Sequence, residues 1–164
     1  METPDPETLR RELLLEQAIS RQFDPLLQQV TRTTLKLEGN RDMEVNQLRN
    51  LLSVAVESRS VEVVINFIRY QIARNSRAWG IGKDDFGHQV ITDLRGSVKE
   101  LAEAAMTYLR ATAGDTPAVH ALEPQVYLRL MQLYLGYLNR TFYFARRVNS
   151  FDWLKEVHHA ANAN

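Results

Sequence analysis

Apolar residues recur at helical spacing along nearly the whole chain, and the residues that start and stop helices fill the intervals between. Asp5-Pro6 and Asp24-Pro25 each read as an N-cap followed by proline at the first helical position, predicting helices that start near residues 6 and 25. The first carries the pairs Leu9/Leu13 and Leu14/Ala18, and the second runs to about Thr33, before Gly39 and Asn40. Asp42 is placed to cap a third helix with Val45, Leu48, Leu52 and Ala55 on one stripe. Ser60 caps a fourth, read as continuous to Trp79 and closed by Gly80-Ile81-Gly82. The segment VEVVINFI could pass for a strand, but the apolar period continues through Ile68 and Ile72, which favours helix.

A fifth helix is predicted from about Gly87 to Ala113, with Val90, Leu94, Val98, Leu101, Ala105 and Leu109 inward and Gly114 ending it. The sixth spans about Leu122 to Arg147, with Pro124 in its first turn or kinking it. Its Leu128, Leu130, Met131, Leu133, Tyr134, Leu135, Leu138 and Phe142 cover most of the circumference. Such a helix is the centre of a bundle, or part of it is an interface. A short segment, FDWLKEVHH, and a polar tail follow.

The expectation is therefore an all-α, single-domain bundle of about five to six helices over residues 1–164. Residues 1–40 form a helical extension, 41–150 the core bundle and 151–164 a short terminal segment. Composition agrees: seven glycines and five prolines in 164 residues leave few turn-formers. The absence of cysteine excludes disulfides, thiol nucleophiles and cysteine metal sites. The stretch Leu130–Asn139 is ten residues without a charge, well short of the roughly 20 that span a bilayer. The start of the chain has no basic region followed by an apolar one, so a cytoplasmic location without membrane contact is expected.

Net charge is zero, yet the bases are sixteen arginines and four lysines, and the arginine fork suits phosphate or carboxylate. A GC-rich genome gives the same bias, so position has to decide. Residues 1–63 hold eleven acids and eight bases, and residues 64–164 nine acids and twelve bases. Two windows lack acids altogether. Between Glu62 and Asp84 stand Arg69, Arg74, Arg77 and Lys83, and between Glu123 and Asp152 stand Arg129, Arg140, Arg146 and Arg147. At about 100° per residue, Arg69, Arg74 and Arg77 face away from the Val61, Ile65, Ile68 and Ile72 stripe, with Tyr70 among them. Arg129, Arg140 and Arg147 align within about 20° along roughly 27 Å of the last helix, beside Gln125, Gln132, Gly136 and Tyr143. An acid-free basic stripe interleaved with Tyr and Gln suits a nucleic-acid backbone. The plainer alternative is a set of solvated faces paired with acids of the N-terminal half.

Chemistry-bearing clusters are sparse. No two of His88, His120, His158 and His159 have the i, i+4 spacing of a helical metal site, so no metal or cofactor is expected. Asp84-Asp85 reads as a helix cap and Glu100/Glu103 as a solvent face. GIGKDD lacks the Gly-Lys-Ser/Thr ending of a phosphate loop. The chain is not expected to be an enzyme.

Gln47-Leu48-Arg49 at the start of one helix, Tyr70-Gln71-Ile72-Ala73-Arg74 on the next, and the aromatic helix VYLRLMQLYLGYLNRTFYFARR resemble the small helical subunit of type III CRISPR effector complexes. That family shows a Thr/Ser-Gln-Leu-Arg start, a Tyr-x-x-x-Arg motif and a final helix rich in Phe and Tyr; here Asn46 replaces the Thr/Ser. The resemblance covers roughly residues 45 to 147. It implies a non-catalytic subunit that stacks with copies of itself and other effector subunits along the groove where guide RNA pairs with target RNA. Arg49 and Arg74 would then face RNA by motif. Arg69, Arg77, Lys83, Arg129, Arg140 and Arg147 join them on the charge map alone. The competing class is a homo-oligomeric or protein-interaction module without nucleic acid. A helix-turn-helix DNA reader ranks third, for want of a compact helix pair with a polar recognition face.

Overall fold

The computed structural model describes residues 3–163, and the regular structure among them is entirely helical. The elements are α1 (Pro6–Ser20), α2 (Phe23–Thr34), a 3₁₀ turn (Leu35–Leu37), α3 (Val45–Ser58), α4 (Val61–Arg74), α5 (Ser76–Trp79), α6 (Phe86–Arg95), α7 (Ser97–Ala113), α8 (Pro117–His120), α9 (Glu123–Val148) and α10 (Asp152–Asn162). The all-α bundle read from periodicity is present, with more helices than expected because two long ones are broken and the short α8 and the terminal α10 add to the count.

Several helix ends follow local chemistry. Asp5 caps α1, its carboxylate accepting the Glu7 N–H at 2.8 Å and the Thr8 hydroxyl at 2.6 Å, with Pro6 in the first turn. These bonds, the Thr8 hydroxyl first, hold the Asp5 carboxyl below its ordinary 3.8. The cap therefore stabilises α1 at neutral pH and loses its effect as the pH falls through that lowered value. Ser60 Oγ accepts the Val63 N–H at 3.3 Å and caps α4. Gly114, at φ 99°, ends α7.

Two expected caps are displaced. Arg21 and Gln22 keep dihedrals in the αR region, so α2 starts at Phe23 before Asp24 can act as a cap, and Pro25 falls in its first turn. Asp42 does not cap α3. Asn40 Oδ1 accepts the N–H groups of Asp42 and Met43, both at 3.0 Å, and that turn closes before the helix begins. Glu44 is the N-cap instead, its N–H donating to Gln47 Oε1 at 3.3 Å.

Two expected helices are not continuous. The fourth breaks at Asn75 (φ −136°, ψ 62°), and the chain after it turns so that Ala78 and Trp79 are both fully buried. A straight helix would hold Ala78 roughly 110° from the Ile stripe. The fifth breaks at Gly96 (φ −104°, ψ −93°), where partners change: α6 packs on α4 and α2, and α7 on α1 and α9. Close packing also fixes Gly87, since a Cβ there would lie 2.6 Å from Ile72 Cγ1 and 3.1 Å from the Trp79 carbonyl.

α9 is the central member, packed against α3, α7 and α2, while α4 lies on the far side of α3. Leu130, Met131, Tyr134, Leu135, Leu138 and Phe142 of α9 are buried, and Leu15, Ala18, Ile19, Leu26 and Val30 of α1 and α2 share that core. Deep within it Asp93 of α6, 1% exposed, accepts four hydrogen bonds. The donors are Gln29 Nε2 (2.7 Å) and the Thr33 hydroxyl of α2, Gln89 Nε2 (2.8 Å) of α6, and the Tyr134 hydroxyl (2.5 Å) of α9. Burial first, and then the Asp93 charge, push the Tyr134 phenol well above 10.0, so it stays a donor throughout the neutral range.

Two substitution pairs test this packing by urea unfolding. Asp93→Ala strands four donors, the Thr33 and Tyr134 hydroxyls fully buried, and should cost about 3 kcal/mol or more, against about 1–2 kcal/mol for Tyr134→Phe; equal, small losses would contradict the hub. Gly87→Ala should destabilise by about 1–3 kcal/mol through overpacking. Gly136→Ala, in α9 where a Cβ meets nothing within 4 Å, should stabilise by up to about 1 kcal/mol.

Candidate nucleic-acid interface

All eight residues singled out by the charge map or the motif are exposed: Arg49, Arg69, Arg74, Arg77, Lys83, Arg129, Arg140 and Arg147. Among the described residues none lies within 4.0 Å of a carboxylate, and the ion pairs present involve other bases, such as Arg95 with Glu62 and Lys155 with Glu38. Among the described residues these faces are not paired with acids of the N-terminal half.

Their grouping follows the helices. On α4, Arg69, Tyr70 and Arg74 share the face opposite Ile65, Ile68 and Ile72, and the Arg74 guanidinium stands 5.8 Å from the Tyr70 ring centre. Arg49 lies on the exposed face of α3, held by an Nη1 bond of 3.2 Å to Asn46 Oδ1. Asn46, Asn50 and Ser53 surround it, and no acid occurs on α3 before Glu57. Because α3 packs against both α4 and α9, Arg49 sits on the helix that joins the other two groups.

Arg77 departs from the expected arrangement. The break at Asn75 puts it on α5, so it is not part of the α4 face that the continuous helix predicted. Instead Arg77 lines a cavity of about 460 Å³ with Lys36, Ser76, Ile81, Asp84 and Asp85, while Lys83 stands in the loop at its side. Asp85 occupies the N-cap position of α6, but its carboxylate accepts the Gly82 N–H at 2.7 Å and so ties the glycine turn; Lys36 Nζ donates to the Asp84 carbonyl at 2.6 Å. This corner is of mixed charge.

On α9, Arg129, Arg140, Tyr143 and Arg147 are exposed, as the stripe requires. Its middle is interrupted, because Gln132 turns to the Ala55 carbonyl of α3 (3.3 Å) and Gly136 is half-buried. Arg129 therefore stands alone, roughly 16 Å along the helix from Arg140. Arg146, from the same acid-free window, is a packing residue: Nη2 donates to the Met43 carbonyl at 2.6 Å and the guanidinium lies 5.3 Å from the Phe142 ring centre.

Two aromatic residues passed over in the periodic pattern also surface here. Phe144 follows Arg140 by one turn, and Trp153 of α10 meets it edge-to-face, ring centres 5.3 Å apart. The signal was available, since Phe144 falls about 40° from Arg140 on the α9 wheel, but the placement of Trp153 depends on how α10 folds back on α2. Among the described residues no group of three His, Asp or Glu side chains is arranged to hold a metal ion, and no helix is long and apolar enough to cross a membrane. Comparison with protein-family models, with curated proteins and with solved structures finds no match for this chain.

Removing individual guanidiniums should separate packing arginines from surface ones. Arg146→Ala should destabilise the chain by about 1–3 kcal/mol, through the lost charged hydrogen bond and ring contact, whereas Arg140→Ala and Arg147→Ala should stay within about 0.5 kcal/mol. Chemical denaturation curves read both, and a large loss for Arg140→Ala would mean that it belongs to the fold.

Proposed function

We propose that the chain is a non-catalytic small subunit of a type III CRISPR ribonucleoprotein, stacking with copies of itself and with other effector subunits in the cytoplasm and contacting the guide and target RNA backbone. The observation that carries this reading is the set of exposed cations on α3, α4 and α9 that have no acid partner among the described residues. Arginines held on rigid helices, unpaired within their own chain, attract phosphates without regard to base identity. Arg49 and Arg74 support the reading twice over, because the family-like motifs carry them and both are solvent-exposed. Arg77 and Lys83 contribute least, since Asp84 and Asp85 share their corner.

Each phosphate contact adds roughly 0.7 to the slope of log affinity against log salt for a single strand. Three or four contacts in one subunit therefore give a slope of about 2 to 3 and weak binding, strengthened when neighbouring copies hold several faces in register. Arg69→Glu with Arg74→Glu should leave the fold intact, because both side chains lie opposite the Ile stripe. The same pair should lower the assembled complex's hold on target RNA and flatten its salt dependence. Variants that assemble and bind RNA with an unchanged slope would favour the protein-interaction module instead.

A further inference from the structure

The C-terminal end of α9 combines features that a backbone-binding face does not need. Tyr143, Phe144 and Trp153 are 51%, 45% and 53% exposed and lie together, whereas the exposed rings of Phe23 and Tyr70 stand apart on α2 and α4. Arg140 and Arg147 flank Tyr143 and Phe144 on α9, and among the described residues neither lies within 4.0 Å of a carboxylate. Phe144 and Trp153 meet edge-to-face at an interplanar angle of 62°, so the rings brace each other while about half of each side chain stays open to solvent. Trp153 also walls an apolar groove of about 310 Å³ between α2, α9 and α10, lined by Leu27, Thr31, Thr141 and Val157, with Asp24 as a carboxylate in the lining. Arg32 and His158 line the recess adjoining it.

We infer that the Phe144–Trp153 pair is a stacking platform for an unpaired RNA base whose flanking phosphates lie on Arg140 and Arg147. The inference rests on the RNA-contact reading and adds to it a distinction between strands. A purely apolar partner helix would be served by aliphatic side chains and would gain nothing from two unpaired guanidiniums beside it. A single strand offers what both features need, a π-face and a phosphate within one or two nucleotides. Bases within a duplex are stacked on one another and cannot reach the rings.

The two tryptophans make the test direct. Trp79 is fully buried and Trp153 is not, so an added strand can change the emission of only one of them by contact. Titrating the full chain at low salt with a single-stranded adenylate RNA oligomer should quench Trp153, and the same sequence as a duplex should quench it far less. Trp153→Leu, which keeps an apolar side chain against Phe144, should abolish the quench and weaken binding roughly five- to tenfold with the salt slope unchanged, because stacking releases no counterions. Phe144→Leu keeps the fluorophore and should reduce the quench, which covers the case in which Trp153→Leu perturbs α10. Salt-dependent RNA binding without a Trp153 response, or an equal response to duplex, overturns the platform and leaves the RNA reading standing. No salt-dependent binding at any protein concentration removes both. A change in Trp153 emission with protein concentration alone assigns the pair to a protein interface and overturns the inference.

Discussion

A carboxylate sealed inside a helical bundle with no cation beside it persists only when every lone pair it brings is met by a donor. Asp93 meets that condition with neutral groups alone: two amides and two hydroxyls, drawn from α2, α6 and α9. The condition is geometric as well as energetic, because four donors converge only when the three helices hold one relative height and rotation. Tyr134 sits mid-way along α9, so its bond to Asp93 sets which side of that helix faces inward. The outward side, with Arg129, Arg140 and Arg147, is fixed by the same constraint. The surface that the functional reading depends on is thus oriented by a buried interaction which no surface property reveals.

Legibility in the sequence followed the range of the interactions involved. Periodicity placed α3, α7 and α9 and most of their inward residues, because an apolar stripe at helical spacing is a local signal. Asp5 and Ser60 were readable as caps for the same reason. Asn75 and Gly96 were not readable as breaks, since each is set by packing between helices: the Trp79 carbonyl closes over Gly87, and where α6 packs on α4, α7 turns to α1 and α9. Arg146 was legible only as one base in an acid-free window; its packing role depends on the Met43 carbonyl, 103 residues away. Asp93 looked like an ordinary polar residue on α6 and became a hub only once Thr33 and Tyr134 were beside it.

The exposure of the arginines was more legible than the helix boundaries, and for a physical reason. Whether an arginine is exposed depends mainly on its angle from the apolar stripe, which one helix fixes alone. Whether several arginines form one surface depends on how helices pack, and there the expectations divided. Arg69 and Arg74 stayed together, Arg77 was carried off by the turn at Asn75, and the α9 stripe separated into an isolated Arg129 and a denser C-terminal group. That group is where the exposed rings gather. Cations and aromatics concentrate at the C-terminal end of α9, while the other candidate cations are dispersed over α3, α4, α5, the loop before α6 and the first half of α9.

The hub at Asp93 also bears on how the chain reaches its folded state. Its long-range partners lie 64, 60 and 41 residues away, so no local segment can assemble it. A pair of helices that docks early would strip water from the carboxylate while supplying only some of its donors, and that half-made state is penalised relative to both the hydrated and the finished one. Helices form in microseconds, but closure of three distant segments around a dehydrating charge carries the loop entropy of all of them at once. Completing the hub is therefore a long-range step in a chain whose helices form locally.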